Sequence, residues 1–222
     1  MRLHIKLTKN TEIIPFNYQK LLTGCVHKWI GENNSQHGIV SLYSFSWLQN
    51  VKPSQKGLNL TRDSHMFFSF HESELAKEVI KGILKSPEMF CGIKVRDVLI
   101  QDTPEFFDHE RFYITSPILI KRRLEDGNEK HYTYEHEESD ELMTTTLKTK
   151  LREAGMDDEG VRVYFDKEYS NPKTKIISYG KIRNKANICP VFIEGAPEQI
   201  VFAWNVGLGN STGVGFGSIE KY

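Results

Sequence analysis

The sequence predicts an α+β protein made of two successive βαββαβ units. In the first half, short stretches rich in β-branched and aromatic residues alternate with two stretches whose apolar residues recur at helical spacing. The second half repeats this order of elements more loosely, without repeating the residues themselves. A βαββαβ order is typical of the ferredoxin-like (RRM-like) fold. We therefore expect two tandem ferredoxin-like domains, residues 1–106 and residues 107–222.

The first unit follows from its hydrophobic pattern. Residues 2–8 alternate between aliphatic and polar side chains, as in a half-buried strand. Residues 17–31 carry apolar side chains every three or four positions, and Gly31 ends this predicted helix. The remaining elements are strands at residues 39–47, 65–70 and 94–100, and a helix that starts at Ser73.

The second unit begins with an extended segment, residues 111–120, which Pro117 interrupts. A charged segment, residues 121–140, follows as a hairpin or an excursion. The remaining predicted elements are a helix at residues 141–154, strands at 161–165 and 175–179, a helix at 199–206 and a final strand at 214–219. Together they give the second βαββαβ order.

One histidine stands out on the first predicted helix. At about 100° per residue, His27 lies nearly opposite the centre of the apolar stripe, beside Lys20, Thr23 and Lys28. We therefore expect His27 to lie outside the core. Histidine is the residue type best suited to proton transfer near neutral pH.

The end of the chain contains a glycine-rich run, GLGNSTGVGFG, at residues 207–217. Small side chains let backbone N–H groups approach an anion such as a phosphate. The run follows a predicted helix and precedes a predicted strand, an order that argues against a P-loop or a dinucleotide fold. The alternative is a glycine-rich turn that enters the last strand.

A basic hairpin is predicted between Glu168 and Glu194, where no acidic residue is present. Its cations alternate at strand period, so each arm directs them to one side. An RNA backbone is a suitable partner for this pattern. The alternative is an edge hairpin whose lysines prevent aggregation. The cations are Lys173, Lys175, Lys181, Arg183 and Lys185.

The composition limits the other classes of function. Lys plus Arg and Asp plus Glu number 29 each, so a nucleic-acid partner must be bound by a local patch. The apolar runs are far shorter than the ~18 residues of a membrane span, and the N-terminus lacks a signal-peptide pattern. We expect a soluble, cytoplasmic protein. Three cysteines without CxxC spacing are expected to be reduced, and no metal-ligand spacing is present, so we expect no metal and no cofactor.

The C-terminal glycine run, entered from the helix PEQIVFAWNVGLG, resembles the signature that ends the CRISPR-associated endoribonucleases of the RAMP superfamily, which cut precursor crRNA within its repeats. The segments MRLHIKL, LLTGCVHKWI, QHGIVSLYSFSWL, ITSPILI and KANICPVFIEG agree in order. The resemblance implies metal-independent attack by a 2′-hydroxyl, which leaves a 2′,3′-cyclic phosphate and a 5′-hydroxyl. The implied partners are repeat RNA, the crRNA product and an interference complex, and a homodimer is compatible with it.

The resemblance also implies site residues. Family members place a tyrosine or histidine late in the first helix and a histidine shortly before the YSFS-like strand, and His27 and His37 occupy the matching positions. The lysine that some members place after the loop histidine is absent, because the nearest position is Ser41. Its electrostatic role can pass to Lys28 or Lys52, or be left to the histidines. RNA contacts are implied for the glycine run, at Gly207, Gly209, Asn210, Ser211, Thr212, Gly213, Gly215 and Gly217, together with the hairpin cations.

Two other functions are compatible with the same fold. A related tandem-domain protein can hold guide RNA as a structural subunit without cutting it, and only the histidines distinguish this alternative from the nuclease. A ferredoxin-like domain that binds a metabolite is the third interpretation, and it predicts no salt-dependent RNA affinity.

Overall fold

The computed structural model describes residues 1–31, 40–179 and 182–222. The fold is built around two antiparallel β-sheets, each packed on one face by two helices. The first sheet and its helices come from the N-terminal half of the chain, and the second set comes from the C-terminal half.

The first unit has the βαββαβ order that the sequence predicts, with one further strand, β3, that the prediction lacks. Its strands pair as β2-β4-β1-β5, with β3 attached to β4, and all of these pairs are antiparallel. This order places β1 and β4 at the centre of the sheet, where the first and third strands of a βαββαβ unit lie in the ferredoxin-like fold. The elements are β1 (Arg2–Leu7), α1 (Gln19–Ile30), β2 (Tyr43–Phe45), β3 (Gln49–Pro53), β4 (Leu58–Phe70), α2 (Ser73–Lys85) and β5 (Val95–Gln101).

The second unit has the same architecture. Its four-stranded sheet has the order β13-β6-β12-β9, and two further hairpins, β7-β8 and β10-β11, lie outside this sheet. The elements are β6 (His109–Ile114), β7 (Ile120–Arg123), β8 (Glu129–Tyr132), α3 (Ser139–Glu153), β9 (Arg162–Phe165), β10 (Lys173–Tyr179), β11 (Ile182–Ile188), β12 (Val191–Glu194), α4 (Pro197–Val206) and β13 (Ile219–Lys221). The predicted fold class is confirmed.

Each unit has its own hydrophobic core. In the first, Leu3 and Ile5 of β1 pack with Val26 of α1 and Val79 of α2, and all four side chains are fully buried. The second core joins α3 and α4 to the second sheet, and it also includes Phe106. We propose residues 1–106 and 107–222 as the two domains, with Phe106 as the point where the connecting segment enters the second core.

Two strands of the second unit differ from the prediction, one in its place in the fold and one in its bounds. The third strand of its sheet is β12, whereas the predicted strand at residues 175–179 belongs to the separate β10-β11 hairpin. The final strand is β13, whereas the predicted strand at residues 214–219 begins in a 3₁₀ turn, Thr212–Val214. Gly215 and Gly217 then have φ angles of 87° and 69°, which interrupt an extended strand.

The polar face of β1 carries a buried cation. Arg2 is expected from the sequence on the polar side of this strand, yet it is fully buried between the two sheets. Its guanidinium donates hydrogen bonds to the backbone oxygens of Trp204 and Ile219, each at 2.8 Å, and pairs with Glu220. Burial lowers the pKa of Arg2 to about 10. Arg2 therefore links the first strand of the chain to the last.

In the part of the chain that the structure describes, no helix is long and apolar enough to cross a membrane.

Candidate nucleic-acid interface

The glycine run forms a loop, residues 207–217, that returns on itself between the two units; we call it the glycine loop. The N–H of Leu208 donates to the oxygen of Gly217 at 2.8 Å, and the N–H of Gly217 donates to the oxygen of Pro117 at 2.9 Å. Midway, the N–H of Asn210 donates to the oxygen of Leu119 at 2.7 Å. The first bond joins the two ends of the loop, and the other two attach Gly217 and Asn210 to the segment that enters β7.

Close packing within the protein explains the glycines of the loop. A Cβ atom on Gly207 would lie 2.9 Å from Cβ of Ser44, and one on Gly215 would lie 2.7 Å from the ring of Phe45. All five glycines of the loop are buried, whereas Ser211 is exposed. The RNA contacts predicted for Gly207, Gly209, Gly213, Gly215 and Gly217, and for the buried Thr212, remain a prediction. Of the loop residues predicted to contact RNA, Asn210 and Ser211 have side chains that are at least partly exposed and can reach a ligand.

Three residues on one face of α1 contact the 3₁₀ turn of this loop. The amide of Gln19 and the hydroxyl of Thr23 donate to the oxygen of Val214, at 3.1 and 3.2 Å. One helical turn further on, His27 Nε2 lies 3.1 Å from the oxygen of Gly213. The three residues are four apart, which places them on one face of the helix. The sequence predicts an exposed face here, but Thr23 is buried and His27 is half-buried, because the glycine loop packs against them.

His37, the second predicted catalytic residue, lies outside the described residues. The chain that follows it returns to the same turn: the hydroxyl of Thr212 donates to the oxygen of Ser41 at 3.5 Å, and the hydroxyl of Tyr43 donates to the oxygen of Gly213 at 3.5 Å. The turn therefore contacts both His27 and the segment just beyond His37.

The two predicted catalytic lysines lie elsewhere. Lys28 is exposed, and its Nζ donates to the hydroxyl of Ser86 at 3.0 Å and to the oxygen of Glu88, at the end of α2. Lys52 is exposed on β3, opposite Asn59 of β4. These hydrogen bonds of Lys28 lead away from the turn that His27 touches. A catalytic role for either lysine remains a prediction.

A buried lysine holds the loop from the other side. Lys150 of α3 is 3% exposed, and its Nζ donates to the oxygens of Val206 and Gly207 and to the hydroxyl of Thr212, at 3.1–3.2 Å. Burial lowers the pKa of Lys150 to about 7. Sequence reasoning missed this residue. The available signal was its spacing, because a lysine three residues after Leu147 falls within the apolar stripe of the helix.

A cleft of about 540 Å³ opens beside the exposed part of the glycine loop, between β7 and α3. Among the described residues, no Asp or Glu lines it. Lys121 is paired with Glu129 at 2.9 Å, and Arg122 donates to the hydroxyl of Thr146 at 3.0 Å, whereas Arg123 is exposed. This basic cleft is lined by Val40, Ser41, Lys121, Arg122, Arg123, Thr145, Thr146, Thr149, Lys150, Gly209, Asn210, Ser211 and Thr212. Cations and hydroxyls without carboxylates form a surface suited to phosphate groups.

The β10-β11 hairpin distributes its cations over two faces. Lys173 and Lys175 pair with Ile188 and Ala186, whereas Ser178 and Ile176 pair with Arg183 and Lys185. Because directly paired residues share a face, Lys173 and Lys175 lie on one side, and Arg183 and Lys185 lie on the other. All four side chains are exposed, and none forms an ion pair with a described carboxylate. Lys181 lies outside the described residues.

Only one face of the hairpin adjoins the glycine loop. Ile177 and Ala186, which share the side of Lys175, pack with Leu119 and with Phe216 of the loop. The Nζ of Lys175 lies 5.0 Å from the ring centroid of Trp47. The described cations of each arm therefore lie on one side, as expected, but the strand register places the two arms' cations on opposite faces. Only Lys173 and Lys175 lie on the loop side.

Comparisons with known proteins agree on one family. The family model described as CRISPR associated protein Cas6, C-terminal, matches residues 101–221. A CRISPR-associated endoribonuclease-like protein Cas6 of Pyrococcus furiosus is 26% identical over 240 residues, and the match covers 99% of this chain and 98% of that protein.

Two solved structures share the fold. The product of a Cas6-related gene from Pyrococcus furiosus has a TM-score of 0.85 and 21% identity, with 100% of this chain and 98% of that chain covered. A Cas6 product complex, from Thermus thermophilus, has a TM-score of 0.69 and 12% identity, with 100% and 99% covered.

Proposed function

The chain belongs to the Cas6 family of CRISPR-associated proteins, and we propose that it binds the repeat RNA of precursor crRNA and cuts it. The observation that carries this proposal is the 3₁₀ turn of the glycine loop, a segment within the matched family region, with His27 held 3.1 Å from its Gly213 oxygen. The endoribonuclease-like name of the Pyrococcus furiosus relative supports RNA cleavage, and the product complex of a structural relative supports RNA binding.

In the proposed reaction, one of His27 and His37 acts as the general base and the other as the general acid. The base takes the proton from a 2′-hydroxyl, whose oxygen attacks the adjacent phosphorus, and the P–O5′ bond breaks as the acid protonates the leaving O5′. The products are a 2′,3′-cyclic phosphate and a 5′-hydroxyl. Histidine can serve both tasks near neutral pH, so no step in this scheme requires a metal ion.

The proposed RNA path runs along the glycine loop. The basic cleft lies on one side of the loop, where Arg123 and the hydroxyl of Ser211 are open to phosphate oxygens. Lys173 and Lys175 lie beyond the other side, on the face of the hairpin that packs towards Phe216. A strand that follows this path passes the turn contacted by His27. Lys28 and Lys52 are proposed to stabilise charge on the phosphate at longer range.

The proposed function is tested by incubating the purified protein with repeat RNA from its own genome in EDTA. We expect one cut within the repeat, with a 2′,3′-cyclic phosphate on the upstream fragment. Treatment of that fragment with acid should open the cyclic phosphate to a mixture of 2′- and 3′-monophosphates, which a mass shift of one water would show. Intact RNA after incubation with a protein that binds it would contradict the nuclease and support the guide-RNA-holding subunit.

The two faces of the β10-β11 hairpin are expected to contribute unequally to RNA binding. Removing one cation that binds a phosphate should reduce the slope of log K against log salt by about 0.7 on single-stranded RNA, so Lys173→Ala/Lys175→Ala should reduce it by about 1.4. The matched variant Arg183→Ala/Lys185→Ala removes two cations from the opposite face and should leave the slope nearly unchanged. Dissociation constants measured at several salt concentrations give both slopes. Equal reductions in the two variants would contradict the assignment of one face.

A further inference from the structure

An aromatic pocket of about 320 Å³ opens where the β3-β4 hairpin meets the β10-β11 hairpin. We call it the Trp47 pocket. Phe16, Tyr18 and Trp47 form its aromatic part, and Lys175 lies at its rim. Among the described residues, no carboxylate lines it. Of the predicted site residues that the structure describes, only Lys175 belongs to this pocket.

The indole of Trp47 is held rigidly although it is partly exposed. Its Nε1 donates to the oxygen of Gly215 at 2.8 Å, and its backbone N–H donates to the oxygen of Thr115 at 3.0 Å. The ring of Tyr18 packs edge-on against it, with centroids 5.9 Å apart. A fixed, partly exposed indole that lines a pocket is the kind of platform on which nucleobases stack.

The charge around the indole matches a nucleotide. The Nζ of Lys175 lies 5.0 Å from the indole centroid, and this lysine has no carboxylate partner among the described residues. Phe16 is 55% exposed beside it, so an apolar surface is left open to solvent. An apolar slot with a cation at its mouth accommodates a flat base whose own phosphate reaches the ammonium group.

The pocket is also connected to the proposed cleavage site. The glycine loop accepts the hydrogen bond of Trp47 at the oxygen of Gly215. Two residues earlier in the same loop, the oxygen of Gly213 lies against His27. A strand bound along this loop therefore passes both places. We propose that the Trp47 pocket binds one unpaired nucleobase of the repeat RNA, with Lys175 on the attached phosphate. This inference rests on the proposed function, because it assigns a specificity site to the same RNA.

Tryptophan fluorescence reports the pocket selectively. The chain has three tryptophans, and Trp29 and Trp204 are 1% and 0% exposed, so stacking of a base can quench only Trp47 directly. We expect titration with repeat RNA carrying a 2′-deoxy nucleotide at the cut site, which prevents turnover, to quench the emission with the same midpoint as binding measured by gel shift. A poly(uridine) strand of equal length is the reference for non-specific contact.

An abasic scan identifies the base. Removing the base that occupies the pocket should weaken binding to the wild-type protein by about 5- to 150-fold. A Phe16→Ala or Trp47→Leu variant should bind that abasic RNA as tightly as it binds the intact RNA. Phe16→Ala is the cleaner variant, since its exposed side chain makes no hydrogen bond like the one from Trp47 to Gly215. Phe107→Leu changes another aromatic residue, 65% exposed, and should bind both RNAs like the wild type.

The outcomes separate this inference from the proposed function. The base site is supported if quenching is saturable and if one abasic position weakens binding to the wild type but not to Phe16→Ala. Normal RNA binding and cleavage with unchanged emission, or with abasic effects that are the same in all variants, would overturn the base site and leave the nuclease intact. If repeat RNA does not bind at all, the proposed function and this inference both fail.

Discussion

Replacing His27 with alanine is expected to slow cleavage of repeat RNA by about 10²- to 10⁴-fold, the range typical of removing one general acid or base. Affinity for the RNA should change by less than about threefold, because the loss lies in the transition state and not in ground-state binding. Single-turnover rates with excess protein, together with dissociation constants on 2′-deoxy-blocked RNA, separate the two quantities.

A second substitution at the same position separates proton transfer from positioning. Glutamine at residue 27 carries an amide that can still donate to the Gly213 oxygen, which lies 3.1 Å from His27 Nε2, but it cannot exchange a proton near neutral pH. We expect His27→Gln to lose as much activity as His27→Ala. Recovery of most activity in His27→Gln would mean that His27 only supports the loop. His109→Ala, on the exposed start of β6, is the matched control and should cleave normally.

The stability of the protein is expected to rise with pH above neutrality, through Lys150. Its pKa is lowered from 10.5 to about 7 in the folded protein because burial removes water from the ammonium group. Below pH 7 the folded and unfolded chains both carry the proton. Between about pH 7 and 10 the unfolded chain holds more protons, so this group should add up to about 1.4 kcal/mol of stability per pH unit.

A Lys150→Met variant isolates that contribution. Methionine fills a similar volume without a titrating group, so every other ionisation affects both proteins alike. We expect the difference in unfolding free energy, wild type minus variant, to increase from pH 7 to pH 9 by up to about 2.7 kcal/mol. Urea titrations at three pH values measure it. Parallel pH curves would show that Lys150 keeps its proton throughout, held by its three oxygen acceptors.

Local sequence patterns were sufficient for the βαββαβ order of each unit but not for the partners of each strand. The alternating residues 175–179 do form a strand, β10. The alternation cannot show, however, whether that strand joins the main sheet or a separate hairpin. The residues that decide this are the four of β12, which pair with β6 on one side and β9 on the other. Strand register is likewise a tertiary property, and it alone places Lys175 and Lys185 on opposite faces.

The candidate site shows the same division between local and tertiary information. Helical spacing sets His27 apart from the apolar stripe, but it cannot reveal that the glycine loop covers the face of α1 that carries Thr23. Composition marks the loop as unusual, whereas the reason for its glycines lies in neighbours distant in sequence, such as Ser44 and Phe45. Lys150 was missed because a charged residue in a buried stripe is rare, and its acceptors lie more than fifty residues further along the chain.

Cleavage of two repeat RNAs that differ by one oxygen atom tests the central proposal most directly. Both are incubated in EDTA, and one carries a 2′-deoxy nucleotide immediately upstream of the cut. We expect the unmodified RNA to be cut once, and the 2′-deoxy RNA to bind equally well and stay intact, because the attacking oxygen is missing. Cleavage of both RNAs would contradict 2′-hydroxyl attack, and equal binding without cleavage of either would contradict the nuclease.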